Sequence, residues 1–314
     1  MQQQRGRIAL NRKTSKPAGH NGPTKAFTVR TEGELLPFLR EMLSHQGRNA
    51  VKSILARGQV SVDGRVETAY NLPLRPGQTV EVNLKKTAPP PRLFGLSIVY
   101  EDADVIVVHK EAGLLSISAG QDGELTAYRQ LMEHVRAQHP KNRIFIVHRL
   151  DRDTSGLMLF AKSESVQQTL QNNWRDMVKE RVYVALVEGQ VKQKEGVIES
   201  WLKENRAMKM YSSPRPGDGQ HAVTRYKVLH ADRNFSLLEV RLETGRKNQI
   251  RVHMQDLGHP IVGDKKYGAR SRAIGRLGLH ARVLAFAHPV SGETMRFQTP
   301  VPSLFYKVFK SEAE

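Results

Sequence analysis

Between Leu93 and Phe297 the apolar residues come in short runs broken by turn residues, and this spacing limits the fold more than any other feature of the sequence. Ile98-Val99-Tyr100 and Val105 to Val108 flank Glu101 to Asp104 and read as a hairpin. Ile144 to Val147, Gly156 to Ala161, Arg181 to Val187, Ala222 to Leu229 and Phe235 to Leu242 read as further strands, with a late hairpin from Arg282 to His288 and Thr294 to Phe297 across Ser291-Gly292. Helical stretches are fewer: one from Ser163 to about Met177, and one from Lys247 to Leu257 that Gly258 caps. Many short strands with few helices predict an α+β domain on a large mixed, mostly antiparallel sheet with flanking helices. No run approaches the roughly 18 apolar residues of a membrane span. No Gly-x-Gly-x-x-Gly follows a strand and no Walker-type lysine loop is present, so a bound nucleotide cofactor is not expected.

Lys85 to Arg92, with Pro89-Pro90-Pro91, predicts a stiff linker at residues 85–92 and a main domain over 93–314. Residues 26–84 read as a small α/β module. Glu34 to Leu43 sets Leu35, Leu36, Leu39 and Leu43 at helical spacing, with Pro37 tolerated in the first turn. Arg48 to Arg57 predicts a second helix with Val51, Ile54 and Leu55 inward and Gly58 beyond its end. Gln59 to Val62 and Thr79 to Val82 predict strands, with Asp63-Gly64 and Arg75-Pro76-Gly77 as turns. Residues 1–25 mix Gln, Arg, Lys, Gly and Pro without periodicity and predict a disordered basic tail. They contain no apolar core of a secretory signal.

Charge narrows the partner class. The 314 residues carry 49 Lys and Arg against 31 Asp and Glu, a net charge of +18 at pH 7. Such a surface attracts polyanions and releases their counterions, so nucleic acid leads over a merely soluble basic protein or a membrane-surface protein. The chain has no cysteine, which excludes disulfides, thiolate nucleophiles and cysteine-based zinc sites and is compatible with the cytoplasm. His148, His253, His259, His280 and His288 are not spaced as a zinc set, so no metal is expected.

The densest polar turn is His148-Arg149-Leu150-Asp151-Arg152-Asp153-Thr154-Ser155-Gly156, between two apolar strands. A polar loop held by buried strands is a rigid platform for a reactive group. Arg149 and Arg152 flank Asp151 and favour its ionised form, which can act as nucleophile or base. A plain alternative is that Asp151, Asp153 and Thr154 only cap the turn.

This run resembles the signature of pseudouridine synthases of the RluA family. Arg181-x-Tyr183-x-Ala185-x-Val187, then Glu243-Thr244-Gly245-Arg246 continuing into Gln249-Ile250-Arg251-Val252-His253, then Gly258-x-Pro260-Ile261-x-Gly263-Asp264-x-x-Tyr267-Gly268, agree in order and spacing. The resemblance spans roughly residues 95–305. It implies isomerisation of a uridine in RNA to pseudouridine, a reaction with no redox change and no cofactor. It implies Asp151 as nucleophile or base, Tyr183 as a ring stacked on the uracil, Arg251 as a counter-ion to Asp151, and Arg149 as the wedge that fills the gap left by a flipped uridine. Helix geometry agrees for Arg251, which flanks an apolar stripe of Ile250, Met254 and Leu257. Asn248 stands where the family often has His. Gly245 and Gly263 are expected to serve turns.

The pattern Arg48-Asn49-x-Val51-Lys52-x-x-Leu55-x-x-Gly58-x-Val60-x-Val62-x-Gly64 resembles the S4 RNA-binding domain, which implies RNA contacts by Arg48, Lys52 and Arg57. Together the two resemblances imply ribosomal RNA as substrate, with transfer RNA the other candidate; a monomer is expected. The competing readings are a non-catalytic S4-type RNA-binding or ribosome-assembly factor and a hydrolase. A glycosidase would need a paired carboxylate.

Overall fold

The computed structural model describes residues 24–56, 58–84, 93–118 and 124–309. Residues 1–23 of the tail expected over 1–25, and the expected linker at 85–92, lie outside them. The chain divides into two compact units between Pro90 and Pro91.

The first unit begins with β1 (Thr24–Thr28), β2 (Gly33–Glu34), α1 (Leu35–Met42) and α2 (Arg48–Ala56). It continues through β3 (Val60–Val62), β4 (Arg65–Glu67), β5 (Pro73–Leu74) and β6 (Thr79–Asn83). Four strands form an antiparallel sheet in the order β1-β6-β3-β4. Thr24 and Lys25, expected in the tail, pair with Asn83 and Val82 and open that sheet. Leu35 and Leu39 of α1, with Leu43 just beyond its end, meet Val51 and Leu55 of α2 over Val60, Val80 and Val82. Asp63 and Gly64 both take positive φ at the β3–β4 turn, which suits the right-handed twist of a two-residue hairpin.

The second unit starts with β7 (Leu96–Glu101), β8 (Val105–Lys110), α3 (Ala127–Gln138), β9 (Phe145–Ile146) and β10 (Ser155–Ala161). Next come α4 (Glu164–Asn172), α5 (Trp174–Met177), β11 (Val178–Glu188), β12 (Glu195–Glu204) and β13 (Met210–Ser213). β14 (Gln220–Ala231), β15 (Phe235–Leu242), α6 (Gln249–Asp256), a 3-10 turn at Lys265–Tyr267, β16 (Leu279–Ala287), β17 (Thr294–Gln298) and α7 (Ser303–Lys307) complete it. An 11-stranded sheet runs β13-β12-β14-β15-β11-β16-β10-β8-β7, with β17 on β16 and β9 on β10. Among the described strands every pair is antiparallel except β10 with β16. The architecture is therefore α+β on a large, mostly antiparallel sheet.

The uninterrupted apolar runs of β8 and β10 follow from burial on both faces. Ile106, Val108, Met158 and Phe160 meet Leu131 and Val135 of α3. The alternate residues Val105, Val107, Leu157 and Leu159 meet Val166 and Leu170 of α4 on the other side. Each fully buried leucine contributes about 1.5–3 kcal/mol. Helix α6 is laid on a third cluster, with Ile250 and Met254 against Ala185, Leu238 and Val240.

Some elements depart from expectation for visible reasons. The strand expected over Ile144 to Val147 shrinks to two residues, because Gln167 and Gln171 of α4 donate to the carbonyls of Ile146 and Val147. The helix expected from Ser163 to Met177 breaks at Asn173, whose side chain takes the Thr169 carbonyl. The Ser163 hydroxyl caps its start by accepting from the Val166 N–H. The helix expected from Lys247 begins two residues later, since Asn248 is left-handed at φ 53°. Helix α3 and the β12–β13 pair were not expected from the sequence.

Candidate active site

Asp151 lies in the loop at 147–154, between β9 and β10, and the loop is pinned at several points. Leu150 is buried, its N–H donates to the Ser116 hydroxyl, and that hydroxyl donates to the Leu150 carbonyl at 2.7 Å. Lys110, fully buried, sends its ammonium to the carbonyls of Glu111 (3.0 Å), Leu114 (2.7 Å) and Arg152 (2.9 Å). Burial pulls the pKa of this lysine down to about 8, against the opposing charges of Asp153 and Asp151. At the loop's far end Gly156 takes φ +120°, and a Cβ there would sit 2.2 Å from the Ala281 carbonyl oxygen. Only glycine allows this approach, which makes the short parallel contact of Ser155 and Gly156 with His280 and Ala281.

Asp151 does not merely cap its own turn. Its Oδ2 accepts from Asn248 Nδ2 at 2.6 Å and from Arg251 Nη1 at 3.1 Å. Among the described residues Oδ1 accepts no hydrogen bond, and the side chain is 31% exposed, so one carboxylate oxygen is held and the other faces the cleft. Asn248 precedes α6 but makes no side-chain cap. Its left-handed backbone turns the amide toward Asp151, and its Oδ1 accepts from the Tyr267 hydroxyl at 3.1 Å.

Arg251 forks between two carboxylates. Nε and Nη2 grip Asp264 at 2.6 and 2.8 Å, while Nη1 reaches Asp151. Asp264 is therefore the principal partner, which the sequence pattern did not single out. The guanidinium also lies 4.8 Å from the centroid of the Tyr267 ring. Burial opposes the charge of Arg251, but the hydrogen bonds and charge of Asp264, then those of Asp151, outweigh it and raise its pKa above the ordinary arginine value.

Tyr183 and Arg149 line the same cleft as Asp151, together with Arg246, Asn248 and Arg251. The register of β11 on β16 shifts between Val182 and Tyr183, an irregularity that re-aims a side chain next to a site. Burial raises the Tyr183 pKa, with Arg181 opposing and Asp151 assisting, so the phenol stays protonated at neutral pH. Arg149 is exposed and forms no ion pair among the described residues. The structure thus brings Asp151, Tyr183, Arg251 and Arg149 to one cleft. Lys52 is exposed on α2 of the first unit; Arg57 and the side chain of Arg48 fall outside the described residues.

His148, His253, His259, His280 and His288 all have protein partners. Burial lowers His148 and His253 to about 4 and His280 to about 3, so each is neutral at ordinary pH. His148 accepts from the Leu159 N–H, His253 sits between Thr224 and Ser200, and His280 between Ser155 and Thr299. His259 bonds the Glu188 carbonyl. His288 approaches Asp102 and Asp104, a grouping that resembles a cation site. The Asp102 oxygens, however, are taken up by Tyr100, His288 and the N–H groups of Asp104 and Val105, which makes it the clasp of the β7–β8 turn.

Sequence comparison agrees with this geometry. The family model of RNA pseudouridylate synthase matches residues 104–256, which contain Asp151, Tyr183 and Arg251. The chain is 36% identical over 276 residues to an uncharacterized RNA pseudouridine synthase of Bacillus subtilis, YlyB, covering 84% of this chain and 89% of that one. It belongs to the RNA pseudouridine synthases, and within them to the RluA family. It is 31% identical to the ribosomal large subunit pseudouridine synthase D of Pasteurella multocida, over 87% of this chain and 89% of the relative. Among solved structures, human RNA pseudouridylate synthase domain containing 1 superposes with a TM-score of 0.53 at 29% identity, covering 69% of this chain and 89% of that one.

Proposed function

We propose that the protein isomerises a uridine of ribosomal RNA to pseudouridine, with Asp151 as the reacting carboxylate. The observation that carries this reading is the half-committed state of Asp151: Asn248 and Arg251 hold Oδ2, and Oδ1 remains available. Arg251 orients the Asp151 carboxylate through Nη1, and its grip on Asp264 keeps it from swinging away.

The target base must leave its stack to reach this cleft, at a cost of a few kcal/mol. Arg149, exposed at the cleft and without an ion pair among the described residues, is placed to fill the vacancy as a planar cation. The Tyr183 ring supplies a surface for the uracil, and its protonated hydroxyl can donate a hydrogen bond there. The N1–C1′ bond then breaks, the uracil turns, and a C5–C1′ bond forms; C5 gives up its hydrogen and N1 gains one, so composition is unchanged. Oδ1 of Asp151 supports this by attack on C1′ or C6, or by taking a ribose proton.

Ribosomal RNA as substrate rests on the similarity to ribosomal large subunit enzymes and on the net charge of +18. The first unit would add affinity as an S4-like RNA-binding module through exposed Arg40 and Lys52. Residues 24–309 contain no described helix long and apolar enough to cross a membrane. The test is to restore the gene to a strain that lacks it and map pseudouridines in ribosomal and transfer RNA. Recovery of a large-subunit ribosomal site is expected. Recovery confined to transfer RNA would replace the substrate, and recovery of no site would refute the enzyme.

A further inference from the structure

A second cavity adjoins the cleft on the far side of Arg251. It is an open basin of about 690 Å³, within the range of about 300–1,000 Å³ common for ligand sites. Lys265, Lys266, Arg272 and Arg276 line it, with Asp153, Asp264 and Arg251 at its border with the active site. Both Asp264 oxygens are occupied by Arg251, so that carboxylate does not neutralise the lysines. Asp153 remains as the uncommitted acid against four cations.

The basin has a built floor and free cationic walls. Arg276 is fixed: its Nη2 donates to the Ser155 hydroxyl at 2.8 Å, its Nε to the Leu277 carbonyl, and its guanidinium lies 5.3 Å from the Phe305 ring centroid. Gly263 takes φ +80°, and a Cβ there would come 2.3 Å from the Arg276 carbonyl oxygen, so the two segments close on each other at the floor. Lys265 and Arg272 are exposed and form no ion pair among the described residues. Cations along a concave wall that outnumber the acid there create a positive potential that an anion relieves. A membrane would need a convex, apolar-flanked surface, which a basin is not.

We propose that this basin holds a phosphodiester of the substrate RNA strand, adjacent to the uridine that enters the cleft. Arg251 borders both cavities, so an occupant of one lies a single side chain from the other. The phosphate of a neighbouring nucleotide therefore meets Lys265 and Arg272 when the target base is in the cleft. Contacts of this kind position a strand without reading its sequence. The inference rests on the cleft being the uridine site.

The test compares wild type with the double variant Lys265→Gln/Arg272→Gln, using a fluorescein-labelled single-stranded oligouridylate and a salt series. Removing two cations from the phosphates of a single strand lowers the slope of log affinity against log salt by about 1.4, and weakens binding roughly tenfold at moderate salt. The charge-preserving Lys265→Arg/Arg272→Lys protein should regain most of the slope, which separates charge from fold. An unchanged slope in the Gln variant overturns the proposal. So does inorganic phosphate or uridine monophosphate that binds wild type tightly while the oligomer is held equally by both proteins, since the basin would then serve a free anion. A parallel assay of pseudouridine formation on unmodified ribosomal RNA should show the variant's defect in KM. A Gln variant that lowers the slope as expected, beside a wild type that forms no pseudouridine, would refute the cleft reading and leave the basin as an RNA-phosphate site.

Discussion

The cleft and the basin meet at Arg251 and differ in how the groups on either side of it are committed. In the cleft, Arg251 is committed to Asp264 and Asp151, and Asn248 is committed to Asp151 and Tyr267. In the basin, Lys265 and Arg272 are uncommitted among the described residues. Paired charges lose freedom and orient a reactive group; unpaired charges attract a polyanion and tolerate variation in its geometry. Substitutions on the two sides of Arg251 should therefore separate into effects on turnover or stability and effects on affinity.

The largest effect is expected at Asp264, which is 1% exposed in its side chain. Asp264→Ala strips Arg251 of its two-point partner and leaves a largely buried cation with Asp151 alone beside it, a loss of up to about 3–5 kcal/mol. Urea unfolding of the variant reads it directly. A variant as stable as wild type would mean that the pair does not hold the cleft together.

Next is acid stability. His148, His253 and His280 have folded pKa values of about 4, 4 and 3 against an ordinary 6.5. Above the ordinary value both folded and unfolded forms are neutral, and the histidines cost nothing. As pH falls from about 6.5 toward about 4, the unfolded chain takes protons that the folded chain refuses, so stability drops by a few kcal/mol for each of the three rings. His253→Gln should flatten part of that fall, whereas Lys265→Gln should leave it as in wild type. A pH-independent unfolding free energy over this window would mean that these rings are not neutral inside.

Asn248 comes third. Asn248→Ala removes a hydrogen bond to a charged oxygen, worth about 1.5–3 kcal/mol, or roughly 10–100-fold in kcat, with RNA affinity kept. Single-turnover rates and binding isotherms distinguish the two. A variant that loses affinity and keeps its rate would place Asn248 on the RNA-binding side of the comparison. The smallest effect belongs to the first unit: Lys52→Gln should lower the salt slope by about 0.7, the value of one phosphate bound on a single strand.

Much of the frame was legible because its signals are local. β15 spans the expected Phe235 to Leu242, and the β7–β8 and β16–β17 hairpins follow from apolar runs either side of polar turns. β12 was not legible. Its Val197 and Ile198 are adjacent, and its buried positions include Ser200, which points inward to bond His253, so no alternation marks the strand. Helix α3 carried a signal that could have found it, with Thr126 as N-cap ahead of Ala127, Leu131 and Val135 at four-residue spacing. At the site, Asp151, Tyr183 and Arg251 stood out by motif. The roles of Asp264, Asn248 and Lys110 depend on hydrogen bonds across 13, 97 and 42 residues of sequence, which spacing does not encode. Asn248 shows this most clearly: its place in the motif gave no sign that its amide would reach Asp151.

The central claim is that the free oxygen of Asp151 does the chemistry while the surrounding cations hold the RNA. Asp151→Asn keeps the shape of the side chain and removes its charge. Purified wild type and variant should be incubated with unmodified large-subunit ribosomal RNA, with RNA affinity and thermal melting measured on the same preparations. The expected result is pseudouridine from wild type only, with affinity and melting nearly equal in the two. A variant that folds, binds and still forms pseudouridine at a comparable rate would contradict it.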